Sequence, residues 1–339
     1  MKGPALRVAR SEGESVRRRL RNEGLLRTDL RIGSDPDHLY LPLHDAHRVP
    51  ADLGSIVEHD FDSRRPSAPR DYRDHIDATR TPTVPLPRAF EVVGDIVVVR
   101  LRGERRAFQR AVGDALLRFV PGARVVALDD GVRGPDRRRL LTVIAGAGPL
   151  TTRHRENGVE IDVDLERAYF SPRLAYEHAR VAAQVGPGET VYDLCCGVGP
   201  FAIQIARAQP SARLVAVDAN PYAIAALERS RARYRLERRI EPRVARVEAF
   251  LPTAAPCDRA ILNLPHEGIK YLSSVAGRIR RGGTLHFYEV TSRAHRAGRG
   301  DALTAALRTE GQWTLTSERT VHPYSPGSDL VSYTLRRTE

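Results

Sequence analysis

Residues 190–203, Thr-Val-Tyr-Asp-Leu-Cys-Cys-Gly-Val-Gly-Pro-Phe-Ala-Ile, constrain the fold of this chain more than any other stretch. A β-branched apolar run ends in Asp193, two glycines then bracket a single residue, and a helical apolar pattern (Phe201, Ile203, Ile205, Ala206) follows. The pattern predicts a buried strand, a tight turn and the start of a helix. Gly197 and Gly199 permit left-handed dihedrals and a close backbone approach that a Cβ would block. Downstream, Leu214-Val-Ala-Val-Asp218 reads as a second buried strand ending in a carboxylate. Units of this kind build doubly wound α/β sheets, whose ligands sit beyond the carboxyl ends of the strands.

An acidic residue about 20 positions past the glycine turn suits the two hydroxyls of a ribose, so Asp218 predicts a nucleoside pocket. Gly197-Val-Gly-Pro-Phe-Ala202 formally fits the G-x-G-x-x-A dinucleotide fingerprint, a weak signal on its own that would suggest an NAD-dependent oxidoreductase. Asp193, four residues before the first glycine, instead resembles the D-x-x-x-G-x-G opening of S-adenosylmethionine-dependent methyltransferases. A second landmark decides between them. Asp258-Arg-Ala-Ile-Leu-Asn263-Leu-Pro265-His is a short strand that must leave the sheet at Pro265, because proline cannot continue the ladder. The Asn263 amide then sits at the same sheet edge as the cofactor. The motif resembles the Asn-Pro-Pro-Tyr-type loops that hold a base by its polar edge in amino-group methyltransferases. A non-catalytic RNA-binding protein with a vestigial cofactor fold is the remaining alternative class.

At 339 residues the chain has room for two or three domains. No apolar stretch approaches the ~18–20 residues needed to span a bilayer, and the opening Met-Lys-Gly-Pro-Ala-Leu-Arg-Val lacks the apolar core of a signal peptide. A cytoplasmic protein with no membrane partner is expected. Cys195, Cys196 and Cys257 have no metal-ligand spacing, so neither a metal site nor a disulfide framework is expected. The adjacent pair reads as small buried residues under the cofactor rather than as a nucleophile. The formal net charge of +12 points to a polyanionic partner. Its excess lies in the middle and C-terminal parts, and all but two of the 54 basic residues are arginines, the exceptions being Lys2 and Lys270.

Four segments follow from the patterning. Residues 1–60 form a small N-terminal module, with a helix from Ser11 ending at Gly24 and a hairpin ending in Leu39-Tyr-Leu-Pro-Leu43. Residues 61–87, rich in Arg and Pro, read as a linker. Residues 88–165 begin with a strand from Phe90 to Leu101, then a helix from Arg105 to Phe119 and strands at Arg124–Leu128 and Leu140–Gly146. This β-α-β-β order suggests a ferredoxin-like or related RNA-binding module. Its basic turn, Arg133 to Arg139, is placed for phosphate or base contact. His154 to Gly158 read as a turn into the strand Val159–Asp164. Residues 166–339 then alternate strands and helices, predicting a Rossmann-like doubly wound domain with an antiparallel C-terminal edge. Glu248 is expected at a strand end beside the adenine. The predicted fold class is therefore α/β: a Rossmann-like domain preceded by two smaller α/β or α+β RNA-binding modules.

These residues resemble a family, the archaeal and eukaryotic tRNA (guanine-N1)-methyltransferases that modify guanosine 37, 3′ of the anticodon. The resemblance is carried by Phe90-Glu-Val-Val-Gly-Asp-Ile, by Arg137-Arg-Arg139 before Val143-Ile-Ala-Gly146, by Glu166-Arg-Ala-Tyr-Phe-Ser-Pro-Arg-Leu174, and by Asp193 with Gly-Val-Gly-Pro-Phe201 and Asn263-Leu-Pro265. It extends to the N-terminal Leu-Pro-Leu and the closing Tyr324-Ser-Pro. Cys195-Cys196 stand where the family often has Phe-Ala, and Val247-Glu248 where it often has Ser/Gly-Asp. The related wybutosine aminocarboxypropyl transferases typically lack Asn-Leu-Pro and carry a Glu at the ribose position, which favours methyl transfer here; further methylation of the tricyclic wybutosine precursor stays open.

The resemblance implies S-adenosylmethionine as cofactor, tRNA as partner and a monomer. It places Tyr169, His178, Asp193, Gly197, Gly199, Asp218, Ala219, Glu248 and Asn263 around the cofactor, and Asn263 and Pro265 at the methyl-transfer site. It implies Glu177 as the base for the N1 proton and Arg137 as the group that stabilises charge on O6, with Arg139 and Arg155 as rivals and all three as RNA contacts. Physically, an apolar cleft would raise the Glu177 pKa toward the useful range, and a guanidinium at a developing oxyanion stabilises the transition state more than the ground state.

Overall fold

The computed structural model describes residues 1–63, 69–76, 84–134 and 138–339. Packing divides the chain into two compact units, Met1–Arg70 and Asp71–Glu339. Among the described residues no helix is long and apolar enough to cross a membrane.

The first unit is a four-stranded antiparallel sheet carrying one helix. Its elements are β1 (Lys2–Ala9), α1 (Gly13–Asn22), β2 (Gly33–Ser34), β3 (His38–Pro42) and β4 (Ser55–Asp60), in sheet order β2-β3-β1-β4. Val16 and Leu20 of α1, one turn apart, share a core with Leu6, Val8, Leu41 and Leu43 of the sheet face. Gly24 ends the helix in the left-handed conformation (φ 66°), as its position predicted. The opening residues, read only as lacking a signal sequence, are the central strand β1.

The second unit begins with β5 (Phe90–Val93), β6 (Ile96–Val99), α2 (Gln109–Phe119), β7 (Val125–Arg133) and β8 (Arg138–Gly146). The single strand expected from Phe90 to Leu101 is a hairpin, turned at Gly94 (φ 58°). The module is thus ββαββ, and its strands lie in consecutive order β5-β6-β7-β8 rather than interleaved as in a ferredoxin-like sheet. β6 is buried on both faces. Val97 and Val99 pack with Val112 and Leu116 of α2, whereas Ile96 and Val98 join a larger core that reaches Phe201 and Ile203.

A hairpin follows, β9 (Thr151–Glu156) and β10 (Val159–Asp164), closed by Asn157 (φ 46°) and Gly158 (φ 78°). Two successive left-handed residues are the geometry of a two-residue hairpin turn, so His154 and Arg155 are strand residues rather than turn residues. Ile161 and Val163 of β10 enter the same large core. No break in packing falls at residue 165.

The rest is α3 (Ala175–Ala182), β11 (Thr190–Leu194), α4 (Pro200–Ala208), β12 (Arg213–Asp218), α5 (Pro221–Arg233), β13 (Ile240–Val244), α6 (Val247–Phe250), β14 (Cys257–Leu262), α7 (Leu272–Ala276), β15 (Ile279–Ser292), α8 (Arg299–Ala306), β16 (Trp313–Ser325) and β17 (Ser328–Arg337). The seven strands run β13-β12-β11-β14-β15-β17-β16, parallel through β15 and antiparallel in the last two. Strand order reverses between β11 and β14, so the crevice opens at their carboxyl ends, beside Leu194 and Leu262. The expected Rossmann-like sheet with an antiparallel edge is the one observed.

Candidate active site

Cys195, Gly197 and Gly199 all take left-handed φ values (61°, 57° and 78°), which folds the β11–α4 connection back over the sheet edge. Its backbone is pinned to β12: Cys196 N donates to Val217 O, and Gly197 N donates to Asp218 Oδ2 at 2.7 Å. The other Asp218 oxygen accepts the Asn220 amide at 2.8 Å. The two glycines serve different ends. A Cβ on Gly197 would meet only the Tyr169 carbonyl, at 3.6 Å, whereas one on Gly199 would lie 2.4 Å from Leu227 Cδ1. Gly197 therefore keeps a ligand space open, and Gly199 keeps the turn packed on α5.

That space is a pocket of about 180 Å³ lined by Tyr169, Cys195, Gly197, Asp218, Ala219, Glu248 and Asn263, among others. Glu248 stands in the first turn of α6 rather than at a strand end. Arg246 donates to it at 2.7 Å and holds its carboxyl down at about 2. Asp193 lies outside the pocket wall and is fully buried, and neither of its oxygens has a hydrogen-bond partner. Burial pushes this carboxyl up to about 7; the Ala202 amide, close but outside hydrogen-bond geometry, opposes the rise, and the Asp218 carboxylate adds to it. A buried acid without partners, a ribose-type carboxylate and an open glycine floor fit a nucleoside cofactor with a positively charged end.

A second cavity of about 130 Å³ shares Tyr169, Cys195, Gly197, Asn263 and Leu264 with the first and continues to His178, Phe201, Pro265, His322 and Tyr324. Asn263 and Leu264 thus stand at the junction of two adjoining spaces. The loop after β14 is held by Val290 N, which donates to Pro265 O, and by Gly268 N, which donates to Leu264 O at 2.6 Å. Cys195 lies in the wall of both spaces, and burial pushes its thiol up to about 12, leaving it protonated. That fits a wall residue and not a nucleophile.

Three expected placements are corrected. His178 does not line the first pocket; it lines the second cavity, and its Nδ1 lies 2.7 Å from Glu156 Oε1, which also accepts Gln204 Nε2 at 2.6 Å. Gly199 packs and does not line the pocket. Glu177 is 1% exposed and lines neither space. Its carboxyl was expected above the ordinary value. Burial does push it up, but the Arg180 guanidinium, with Tyr288 and Ser332, outweighs burial and leaves it below that value.

The arginines separate as well. Arg137 lies outside the described residues. Arg139 is not a surface cation: it is 7% exposed, donates to Glu91 at 2.8 Å, and has its guanidinium 5.7 Å from the Tyr169 ring centre. Arg155 is exposed in an open groove of about 1200 Å³ whose charges are mixed (Asp95, Arg124, Asp162, Arg229). That groove shares no residue with the two adjoining spaces. Leu264 and His322 were not anticipated as site residues. His322 and Tyr324 both line the second cavity, but the β16 ladder shifts register between Thr320 and His322 and between Pro323 and Ser325, so strand alternation alone does not mark them.

A doubly wound sheet with this strand order, a glycine turn over an acid-tipped neighbour and an Asn-Leu-Pro loop define a Rossmann-like methyltransferase. Three family models match: the TRM5/TYW2 methyltransferase domain over residues 152–300, the TYW2 N-terminal domain over 74–149 and the tRNA methyltransferase 5 N-terminal domain over 5–49. The chain is 32% identical to tRNA (guanine(37)-N(1))-methyltransferase Trm5b of Pyrococcus abyssi, over 84% of this chain and 83% of the relative. It is 30% identical to Trm5b of Methanocaldococcus jannaschii, over 84% and 86%. The crystal structure of Pyrococcus abyssi Trm5b superposes with a TM-score of 0.76 at 27% identity, covering 98% of this chain and 99% of that one. The complex of aTrm5 with tRNALeu gives 0.72 at 26% identity, over 98% and 99%. The chain belongs to the tRNA (guanine(37)-N(1))-methyltransferase family.

Proposed function

We propose that this protein transfers the methyl group of S-adenosylmethionine to N1 of guanosine 37 in tRNA. The observation that carries this is the meeting of the two spaces at Asn263: a nucleoside pocket on the glycine-turn side and an acceptor cavity behind Pro265. When bound, the cofactor supplies an electrophilic methyl on a sulfonium, already a good leaving group. Asp218 would hold its ribose and Tyr169, Ala219 and Glu248 the adenine side, while Asp193, buried behind the glycine turn and outside the pocket wall, would act on its positive end through its charge rather than by contact.

The protein's own work is on the acceptor. The target base must leave its loop stack, at a cost of a few kcal/mol, and enter the cavity walled by Pro265 and His178. Asn263, a donor and an acceptor on one rigid loop, orients the base edge toward the cofactor. Guanine N1 carries a proton and is a poor nucleophile until it is lost. Glu177 is the candidate acceptor for that proton and is ionised at neutral pH; reaching the base requires its carboxylate to turn from Arg180 toward the cavity. Arg137 is the candidate partner of the O6 charge. The basic segments before residue 166 would supply phosphate attraction, with exposed Arg155 as one candidate contact. We infer a monomer acting in the cytoplasm, in which the boundary read at residue 165 is one of sequence pattern and not of packing, since strands on either side of it share one core.

Incubation with S-adenosylmethionine labelled in the methyl group and tRNA transcripts carrying G or A at position 37 tests the reading. Label in the G transcript alone supports it. Label in both, or incorporation only from cofactor labelled in its aminocarboxypropyl group, overturns it.

A further inference from the structure

The rim of the acceptor cavity carries rings that the methyl-transfer chemistry does not use. Tyr324, near the end of β16, is 45% exposed, and His322 precedes it on the same strand; both line the cavity. Tyr324 Oη lies 2.9 Å from His266 Nε2, and the two rings meet edge to face with centroids 5.2 Å apart. The β16–β17 hairpin and the loop bearing Asn263 and Pro265 therefore share one aromatic edge. A rim of oriented, partly exposed rings is the composition that binds unpaired bases by stacking.

Extruding a base also strips its neighbours of a stacking partner. We propose that Tyr324, oriented by His266 and flanked by His322, is the platform on which an unpaired loop nucleotide next to the target guanosine stacks while the target occupies the cavity. The proposal rests on the tRNA methyltransferase reading and adds which part of the RNA this rim meets. The hydroxyl bond to His266 fixes the plane of the ring; the ring face makes the contact. Stacking of this kind is sequence-tolerant, so it secures the loop without selecting its neighbours.

The test is tRNA binding and single-turnover methylation by the full chain, using transcripts with 2-aminopurine or an abasic site on either side of position 37. Tyr324→Ala weakens tRNA binding roughly 5- to 150-fold, leaves S-adenosylmethionine binding unchanged, and abolishes the quench of 2-aminopurine at one flanking position. Tyr324→Phe, which keeps the ring, binds within about threefold of wild type. An abasic nucleotide at that position costs the wild type a similar factor and adds nothing to the Tyr324→Ala loss. Wild-type binding by Tyr324→Ala overturns the proposal. So does a loss in Tyr324→Phe as large as in Tyr324→Ala, which would mark a hydrogen-bonded latch, or an undiminished Tyr324→Ala loss on tRNA abasic at both flanks. A wild-type protein that quenches the probe yet makes no methylated guanosine would instead overturn the proposed function and leave the platform standing.

Discussion

Arg180 grips both oxygens of Glu177, Nε to Oε2 at 2.8 Å and Nη2 to Oε1 at 2.5 Å, while Tyr288 donates its phenol to Oε1 at 2.8 Å. The pairing holds the carboxyl below its ordinary value in spite of burial. A group depressed in the folded state contributes stability above its unfolded pKa and loses it as pH falls through the folded one. Glu177 is therefore ionised throughout the neutral range in the free enzyme, and kcat/KM should show no acidic limb from it between about pH 6 and 9. Glu177→Gln should lower turnover ~10²–10⁴-fold with tRNA binding nearly intact. Near-normal turnover would remove Glu177 from the proton transfer. In urea unfolding, Arg180→Ala should cost about 3–5 kcal/mol, because it strands a buried carboxylate, and Glu177→Gln less.

Asp193 follows the opposite rule. Its folded pKa, about 7, lies above the unfolded value, so stability is full below the unfolded pKa and is lost as pH rises through about 7. Without cofactor, Asp193→Asn should melt above the wild type at pH 8, and the gap should close on acidification toward pH 4. Binding of a cationic group pulls the pKa down, so wild-type affinity for S-adenosylmethionine should rise from pH 6 to pH 8, while Asp193→Asn should bind weakly and without that slope. Titration calorimetry at the two pH values reads both. A pH-independent wild-type affinity would contradict the placement.

The two turn glycines should fail differently. Alanine at either must adopt a left-handed φ, at a cost of roughly 1–2 kcal/mol. At position 199 the new Cβ also displaces Leu227, so Gly199→Ala should lose further stability by repacking. At position 197 the Cβ enters open pocket space, so Gly197→Ala should lose more cofactor affinity than stability. Thermal melts with and without S-adenosylmethionine separate the two; equal loss of affinity in both would mean that Gly199 also borders the cofactor.

Arg155 and Arg139 should separate in the salt dependence of tRNA binding. Replacing exposed Arg155 with Ala should reduce the slope of log affinity against log salt by about 0.7–0.9, the value of one phosphate contact. Replacing Arg139 should leave that slope alone and destabilise the fold, since Glu91 loses a buried partner. A slope change at Arg139 with unchanged stability would reverse the assignment.

The parallel sheet was legible because strands covered on both faces read as unbroken apolar runs, as at Leu214–Val217 and Ala260–Leu262. The same continuity concealed the β5–β6 turn, where Gly94 and Asp95 interrupt a run that otherwise fits one strand. β1 escaped notice because Gly3 and Pro4 mask its alternation. Glu177 and its role candidates came from resemblance, and the i,i+3 spacing to Arg180 was visible; the burial that turns this spacing into a clamp depends on Tyr288 and Ser332, distant in sequence. Arg139 sat in a basic run that composition could not sort into inward and outward side chains. Only the register of β8 against β7 turns it toward Glu91 and Tyr169.

The most direct test of the central claim is nucleoside mass spectrometry of a G37 tRNA transcript after reaction with S-adenosylmethionine. The account predicts 1-methylguanosine, one per tRNA and confined to position 37. A methyl on another atom or another nucleotide, an aminocarboxypropyl adduct, or unmodified RNA under conditions where the cofactor binds would contradict it.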